Sequence, residues 1–168
     1  RVERGTVTVQ GRGLDTSTAD YTDIITRAVN VNAGIWANTL KVTTGVNTVN
    51  ADNNQATMIT GVAASAAPSF AIDVAALGGM YAGKIMMIGT ETGVGVRNAG
   101  TIGASAGELS LDISGNLTTT HYLGASGSVA IRAQQVTNSG QIQTNQSLTL
   151  TTQGDITNHS KILAGQTL

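Results

Sequence analysis

Residues 98–117 read NAGTIGASAGELSLDISGNL, 118–136 read TTTHYLGASGSVAIRAQQV, 137–156 read TNSGQIQTNQSLTLTTQGDI and 157–168 read TNHSKILAGQTL. Laid one above another, these four stretches keep their apolar landmarks in phase. Ile102, Leu123, Ile142 and Ile162 share one place, Leu109, Val129, Leu148 and Leu168 a second, and Leu117, Val136 and Ile156 a third, at steps of 19 to 21 residues. A fixed short period of this kind marks a stacked solenoid, in which each repeat buries its apolar face against its neighbours.

The pattern within a repeat is that of strands. Leu109, Leu111 and Ile113 alternate with Ser110 and Asp112, and Val129, Ile131 and Ala133 alternate with Ala130 and Arg132. Alternation with period two puts one face inward. A second short strand falls at 101–104, 122–125, 141–144 and 161–164, with a large-then-small inward pair such as Ile102/Ala104 or Leu123/Ala125. Asn, Gly and Ser fill the turns, where they tolerate left-handed backbone or cap it. Two strands and a third apolar point per repeat predict a triangular coil, with successive coils paired in parallel at roughly 4.8 Å. The expected fold is therefore all-β, a parallel β-helix. A leucine-rich repeat would need a helical side and a recurring Asn after L-x-L, and 151–158 (TTQGDITN) is polar and turn-like instead.

Upstream the pattern continues less regularly. Met80/Ala82 and Ile85/Met87 match Ile102/Ala104 and Leu109/Leu111, and Ile35/Ala37 and Leu40/Val42 repeat the motif. About six or seven coils are expected from a chain of 168 residues at ~20 residues each. Two segments break the rhythm and are expected to be excursions from the solenoid. Residues 15–30 (DTSTADYTDIITRAVN) suggest one or two helical turns around Tyr21–Ala28, and 47–70, which holds Pro68, suggests a hairpin on one side. Such excursions are either tolerated loops or the place where function sits.

Composition narrows the function classes. The formal net charge is −1 and 11% of residues are charged, which gives no field for holding nucleic acid or an anionic membrane. No apolar run of about 20 residues could span a bilayer. With no cysteine, neither a disulfide framework nor a thiolate metal site is available. The chain opens at Arg1-Val2-Glu3-Arg4 and stops partway through a repeat, and solenoids carry polar capping repeats, so it reads as a piece of a longer protein.

Each chemical motif has a plainer reading. Gly103–Gly107 (GASAG) matches the G-x-S-x-G nucleophile elbow, and Asp112 and His121 follow in hydrolase order. The elbow requires a strand-to-helix turn, whereas here a strand follows, and Ala104 and Gly107 are in phase with Ala125 and Gly127. No catalytic residue is therefore assigned. His121 and His159 lie two coils apart, about 10 Å along the stack, too far to share an ion whose ligands sit at ~2.1 Å. No metal or cofactor site is expected. Asn98, Asn138 and Asn158 are in phase, with Thr at the intervening coil. They are read as structural, hydrogen-bonding along the stack, alongside the core landmarks Ile102, Leu109, Leu123, Val129, Ile142, Leu148 and Ile162. The sequons at Asn116, Asn145 and Asn158 are what chance gives in a chain this rich in Asn, Ser and Thr. A β-helical polysaccharide lyase or hydrolase would need clustered carboxylates, and the ten acidic residues are scattered. The aromatics that could stack on sugars are Trp36, Tyr21, Tyr81, Tyr122 and Phe70.

The runs 24–49 (IITRAVNVNAGIWANTLKVTTGVNTV) and 72–117 (IDVAALGGMYAGKIMMIGTETGVGVRNAGTIGASAGELSLDISGNL) resemble the large exoproteins of bacterial two-partner secretion. These comprise filamentous haemagglutinins, contact-dependent growth inhibition proteins and secreted haemolysins. Residues 1–97 resemble the C-terminal part of the secretion domain, and 98–168 the first haemagglutinin-type repeats. The resemblance implies a right-handed β-helix, exported unfolded through an outer-membrane barrel with POTRA domains. It also implies location outside the cell or on its surface, with no enzymatic role, no nucleic-acid partner and no membrane insertion. The family's transporter-recognition motifs, N-P-N-L and N-P-N-G-I, do not occur in this stretch, so the resemblance places the primary transporter signal further N-terminal. The expected role is secretion and display of distal adhesive or toxic regions. Direct contact with a host or target-cell receptor, glycan or protein, is the alternative, and a polysaccharide-cleaving enzyme a more distant one.

Overall fold

The computed structural model describes residues 1–53, 55–61 and 66–166. The chain makes seven coils of strand. Coil one comprises β1 (Thr6–Val9), β2 (Leu14–Thr16) and β3 (Thr22–Thr26), and coil two β4 (Ala28–Val31) and the long β5 (Gly34–Thr44). A hairpin follows, β6 (Asn47–Val49) and β7 (Ala56–Met58). Coil three is β8 (Phe70–Val74) and the long β9 (Gly79–Gly89), and coil four β10 (Gly95–Asn98), β11 (Thr101–Ala104) and β12 (Leu109–Ile113). Coil five is β13 (Leu117–Thr119), β14 (Tyr122–Ala125) and β15 (Val129–Ala133). Coil six is β16 (Val136–Asn138), β17 (Gln141–Thr144) and β18 (Leu148–Thr152), and coil seven β19 (Ile156–Asn158) and β20 (Lys161–Ala164).

All pairing between coils is parallel. The first face is a sheet ordered β1-β4-β8-β10-β13-β16-β19. The second and third faces form one sheet, because β5 and β9 run through the corner between them: β5 pairs β2 and β3, and β9 pairs β11 and β12. Only two residues separate the flanking inward positions at that corner in β5 (Asn38, Thr39) and β9 (Gly83, Lys84). Coil four uses four residues there, 105–108, and the chain must turn.

The periodicity fixes the register. Ile35, Met80, Ile102, Leu123, Ile142 and Ile162 stand in one inward column, and Leu40, Ile85, Leu109, Val129 and Leu148 in another. Val7, Val29, Ile72, Val96, Leu117, Val136 and Ile156 form the third. Most of these side chains are fully buried in a single core. Ile162, in the last coil, is partly buried against it, and Leu168 lies outside the described residues.

One expectation is corrected. Residues 15–30 neither leave the solenoid nor form a helical turn. Thr22–Thr26 pairs with Leu40–Thr44 and Ala28–Val31 with β1 and β8, so the segment closes coil one and opens coil two. Its inward set, Ile24, Ala28, Val29 and Val31, lacks an even period because Arg27 occupies the corner between two strands. Of the 47–70 segment, Phe70 already belongs to β8, while Asn47–Val49 and Ala56–Met58 leave the solenoid as an antiparallel hairpin. It folds back over the third face: the Lys41 Nζ donates to the Asp52 carbonyl (2.8 Å) and the Thr43 hydroxyl to Asn53 Oδ1 (2.6 Å). Asn53 takes φ +47°, a left-handed conformation that Asn tolerates. Asn54 and residues 62–65 of that segment lie outside the described residues.

Candidate binding groove

The second face carries a feature on its outer side. The residues between the inward pairs form an outward column of Asp15, Trp36, Tyr81, Gly103, Gly124, Gln143 and Leu163. Trp36 and Tyr81 are adjacent in it, with ring centroids 6.0 Å apart and planes 14° from parallel. Each is 41% exposed. The chain holds five aromatic residues, and Tyr122, a third, leans in from the neighbouring column.

Glycines let these rings lie back over the sheet. A Cβ on Gly34 would meet the Trp36 ring at 2.3 Å, one on Gly79 the Tyr81 ring at 2.6 Å, and one on Gly124 the Tyr122 hydroxyl at 2.6 Å. A strand glycine weakens a sheet unless something fills its place, and here the ring two residues away along the strand does so. Gly103 differs. A Cβ there would come no closer than 3.9 Å to Tyr122 and 4.0 Å to Thr101, so a side chain would fit beside Tyr122 at ordinary contact distance.

Together these residues line a groove of about 770 Å³. The wider corners of coils four to six form its wall through Ser105, Ser126 and Asn145. Asn38 stands at the corner of coil two, its amide donating to the carbonyls of Ser17 (3.0 Å) and Ala19 (2.8 Å). None of the lining residues among those described is charged. Asp15, at the column's end, is turned aside: its carboxylate accepts from the Ser17 hydroxyl (2.7 Å) and amide (3.0 Å), which hold it below its ordinary pKa.

The apparent triad is not assembled. Ser105 donates to the Ala82 carbonyl (3.3 Å) at the corner between the second and third faces. Asp112 is exposed on the third face opposite Arg132, and His121 lies in the turn between the first and second faces. The two histidines are out of step by one position, His121 level with Gly140 and His159 with Ser139. No group of three metal-ligating side chains occurs among the described residues.

Asn98, Thr119, Asn138 and Asn158 stand in one column at the end of the first face, where coils one to three carry Val9, Val31 and Val74. Asn98 and Asn138 are fully buried. Each accepts from the amide of the glycine two residues on, Gly100 (3.2 Å) or Gly140 (3.1 Å). Each donates to the next coil, Asn98 to Thr119 Oγ1 (3.1 Å) and the Tyr122 carbonyl (2.8 Å), and Asn138 to Asn158 Oδ1 (2.7 Å) and the Lys161 carbonyl (2.9 Å). Asn158 is exposed.

The two arginine pairs differ in burial. The Arg27 guanidinium, almost wholly buried at the corner, donates from Nη2 to Glu91 Oε1 (2.7 Å) and from Nε to Oε2 (3.1 Å). Arg97 is half exposed, donates to Asp73 (2.6 and 2.8 Å) and lies 4.6 Å from the centre of the Phe70 ring. In each case the hydrogen bonds to the carboxylate raise the guanidinium above its ordinary pKa.

Sequence reasoning noted the aromatics but did not gather them. The alignment of Ile35/Ala37 with Met80/Ala82 and Ile102/Ala104 contains the signal, since the residue between each pair must point outward into one column.

The family model for the TPS secretion domain matches residues 1–119. Similar proteins include "Toxin CdiA" of Yersinia pestis, 50% identical over 142 residues, covering 83% of this chain and 4% of that protein. "tRNA nuclease CdiA-2" of Burkholderia pseudomallei is 44% identical over 124 residues, covering 74% of this chain and 4% of that protein. The chain thus spans a few per cent of the length of these relatives. The crystal structure of a filamentous hemagglutinin secretion domain matches with a TM-score of 0.68 at 21% identity, covering 97% of this chain and 52% of that one.

Proposed function

Because this chain belongs to the two-partner secretion exoproteins, we propose that it is a non-enzymatic β-helical segment, exported through an outer-membrane transporter, that holds more distal regions away from the cell. The observation that carries this reading is the unbroken parallel pairing of one coil on the next. Each completed coil offers an open edge that templates its successor, and coils that contact only their neighbours fold by propagation. Stepwise folding outside the membrane would then draw the chain outward. The absence of cysteine suits such a route, since no disulfide could lock the chain before passage.

The transporter's POTRA domains would engage mainly sequence N-terminal to this stretch. The change from valine to asparagine at residue 98 supports a division there between secretion domain (1–97) and haemagglutinin-type repeats (98–168) within one continuous solenoid. The family match runs about one coil further, to residue 119.

The test is a polar insertion in β12 of the full-length protein, expressed with its transporter. Secretion rate should fall as the coil is destabilised, and an unchanged rate would refute the folding-driven route. Alanine substitutions across 50–66 should leave cell adherence intact; lost adherence with normal secretion would favour a direct receptor role for the excursion.

A further inference from the structure

We propose that the groove over Gly103 binds an uncharged glycan, with one pyranose ring seated between Tyr81 and Tyr122 and the chain continuing along the column over Trp36. The inference rests on the reading of this segment as displayed outside the cell. It begins from an unexplained glycine. Gly34, Gly79 and Gly124 are required by the rings lying over them, whereas a side chain at Gly103 would meet only ordinary contacts, and its backbone is extended strand. A strand glycine with room for a side chain marks a place where something else approaches the backbone. Tyr81 and Tyr122 flank that opening.

The chemistry of the lining selects the occupant. The two exposed, near-parallel rings at Trp36 and Tyr81 offer faces carrying negative quadrupole charge, which suit the C–H faces of sugar rings. Hydroxyl and amide groups surround them. Ser126 and Asn145 line the groove and, among the described residues, show no side-chain hydrogen bond within the chain. The absence of charged lining residues disfavours sulfated or otherwise anionic glycans and nucleic acid, whose binding is driven by paired charge. A peptide strand has no free edge to join, because each strand flanking Gly103 is already paired on both sides. Ring stacking with hydrogen bonds from an open, wet groove is a weak-affinity arrangement.

The test uses the purified chain and its single tryptophan, Trp36, as the reporter. Cellohexaose, maltohexaose and an N-acetylglucosamine hexamer are titrated while Trp36 emission is read, with a heparin hexasaccharide as the charged comparison. At least one neutral hexamer should give a saturable change with a Kd on the order of 0.1–1 mM, and heparin should not. Gly103→Val should weaken binding about tenfold or more while leaving the melting temperature equal or higher, since a β-branched residue suits a strand. Tyr81→Phe should retain binding and Tyr81→Ala lose it. The proposal is overturned if no neutral hexamer saturates, if Gly103→Val binds as tightly as the parent, or if heparin binds as well as the neutral sugars. None of these outcomes bears on secretion, so the groove and the export role fail separately.

Discussion

At the end of the first face, coils one to three place Val9, Val31 and Val74 where coils four to seven place Asn98, Thr119, Asn138 and Asn158. The first region is held by apolar burial, two strands that run through a corner, a buried ion pair and a hairpin. The second is held by repetition and by a polar ladder in which each coil satisfies groups of its neighbour. The comparison teaches that one solenoid can be stabilised in two ways. Where the coils are individual, stability comes from contacts that occur once, and where they are alike, from contacts that recur.

This contrast can be broken experimentally. The largest effect is expected in the first region, at the ion pair. Glu91→Ala should cost about 3–5 kcal/mol, because it removes the carboxylate paired with a buried guanidinium, whereas Asp73→Ala at the exposed Arg97 pair should cost less than about 1 kcal/mol; urea unfolding checks both. Next, Leu40→Ala in the sealed core of coil two should cost about 2–5 kcal/mol. The equivalent truncation of half-covered Ile162 should cost well under half of that in the same experiment. Third, Asn98→Ala leaves the Gly100 amide and Tyr122 carbonyl without their side-chain partner and should cost about 1–3 kcal/mol. Amide hydrogen exchange should then quicken in coils four and five before coils one to three. The smallest effect is at Asn158→Ala, expected within about 1 kcal/mol because the residue is exposed and the buried Asn138 amide, losing its Oδ1 acceptor, keeps the Lys161 carbonyl. Equal losses at Asn98 and Asn158 would show that the ladder contributes nothing through burial.

The same contrast governs what could be read before the structure. The inward columns were legible because period-two alternation recurred every ~20 residues. Even the irregular coils yielded Ile35/Ala37 and Met80/Ala82 by comparison with their successors. Residues 15–30 misled because Ser17, Thr18, Ala19, Asp20 and Tyr21 make a five-residue corner that no other coil shares among the described residues, and Arg27 interrupts the apolar run between β3 and β4. The groove was half legible. Its aromatics could be counted, but three-dimensional phase was needed to show that Trp36, Tyr81 and Tyr122 converge on one face, and that Gly103, unlike Gly34, Gly79 and Gly124, has room for a side chain.

The Arg27–Glu91 pair has a bearing on length. Arg27 stands at the exit of coil one and Glu91 at the exit of coil three, and between them lies Gly45, with φ +108°, where the hairpin departs. A Cβ at Gly45 would strike the Thr90 hydroxyl at 2.5 Å, so the two flanking coils close across the point of departure. The hairpin docks beside these coils on the third face through the Lys41–Asp52 and Thr43–Asn53 hydrogen bonds, and lengthening a surface loop costs only about 0.6 kcal/mol per doubling. A passenger peptide spliced after Gly61, outside that docked turn, should leave the melting temperature within a few degrees in thermal unfolding, so cargo can be carried at the side of the solenoid without reopening it.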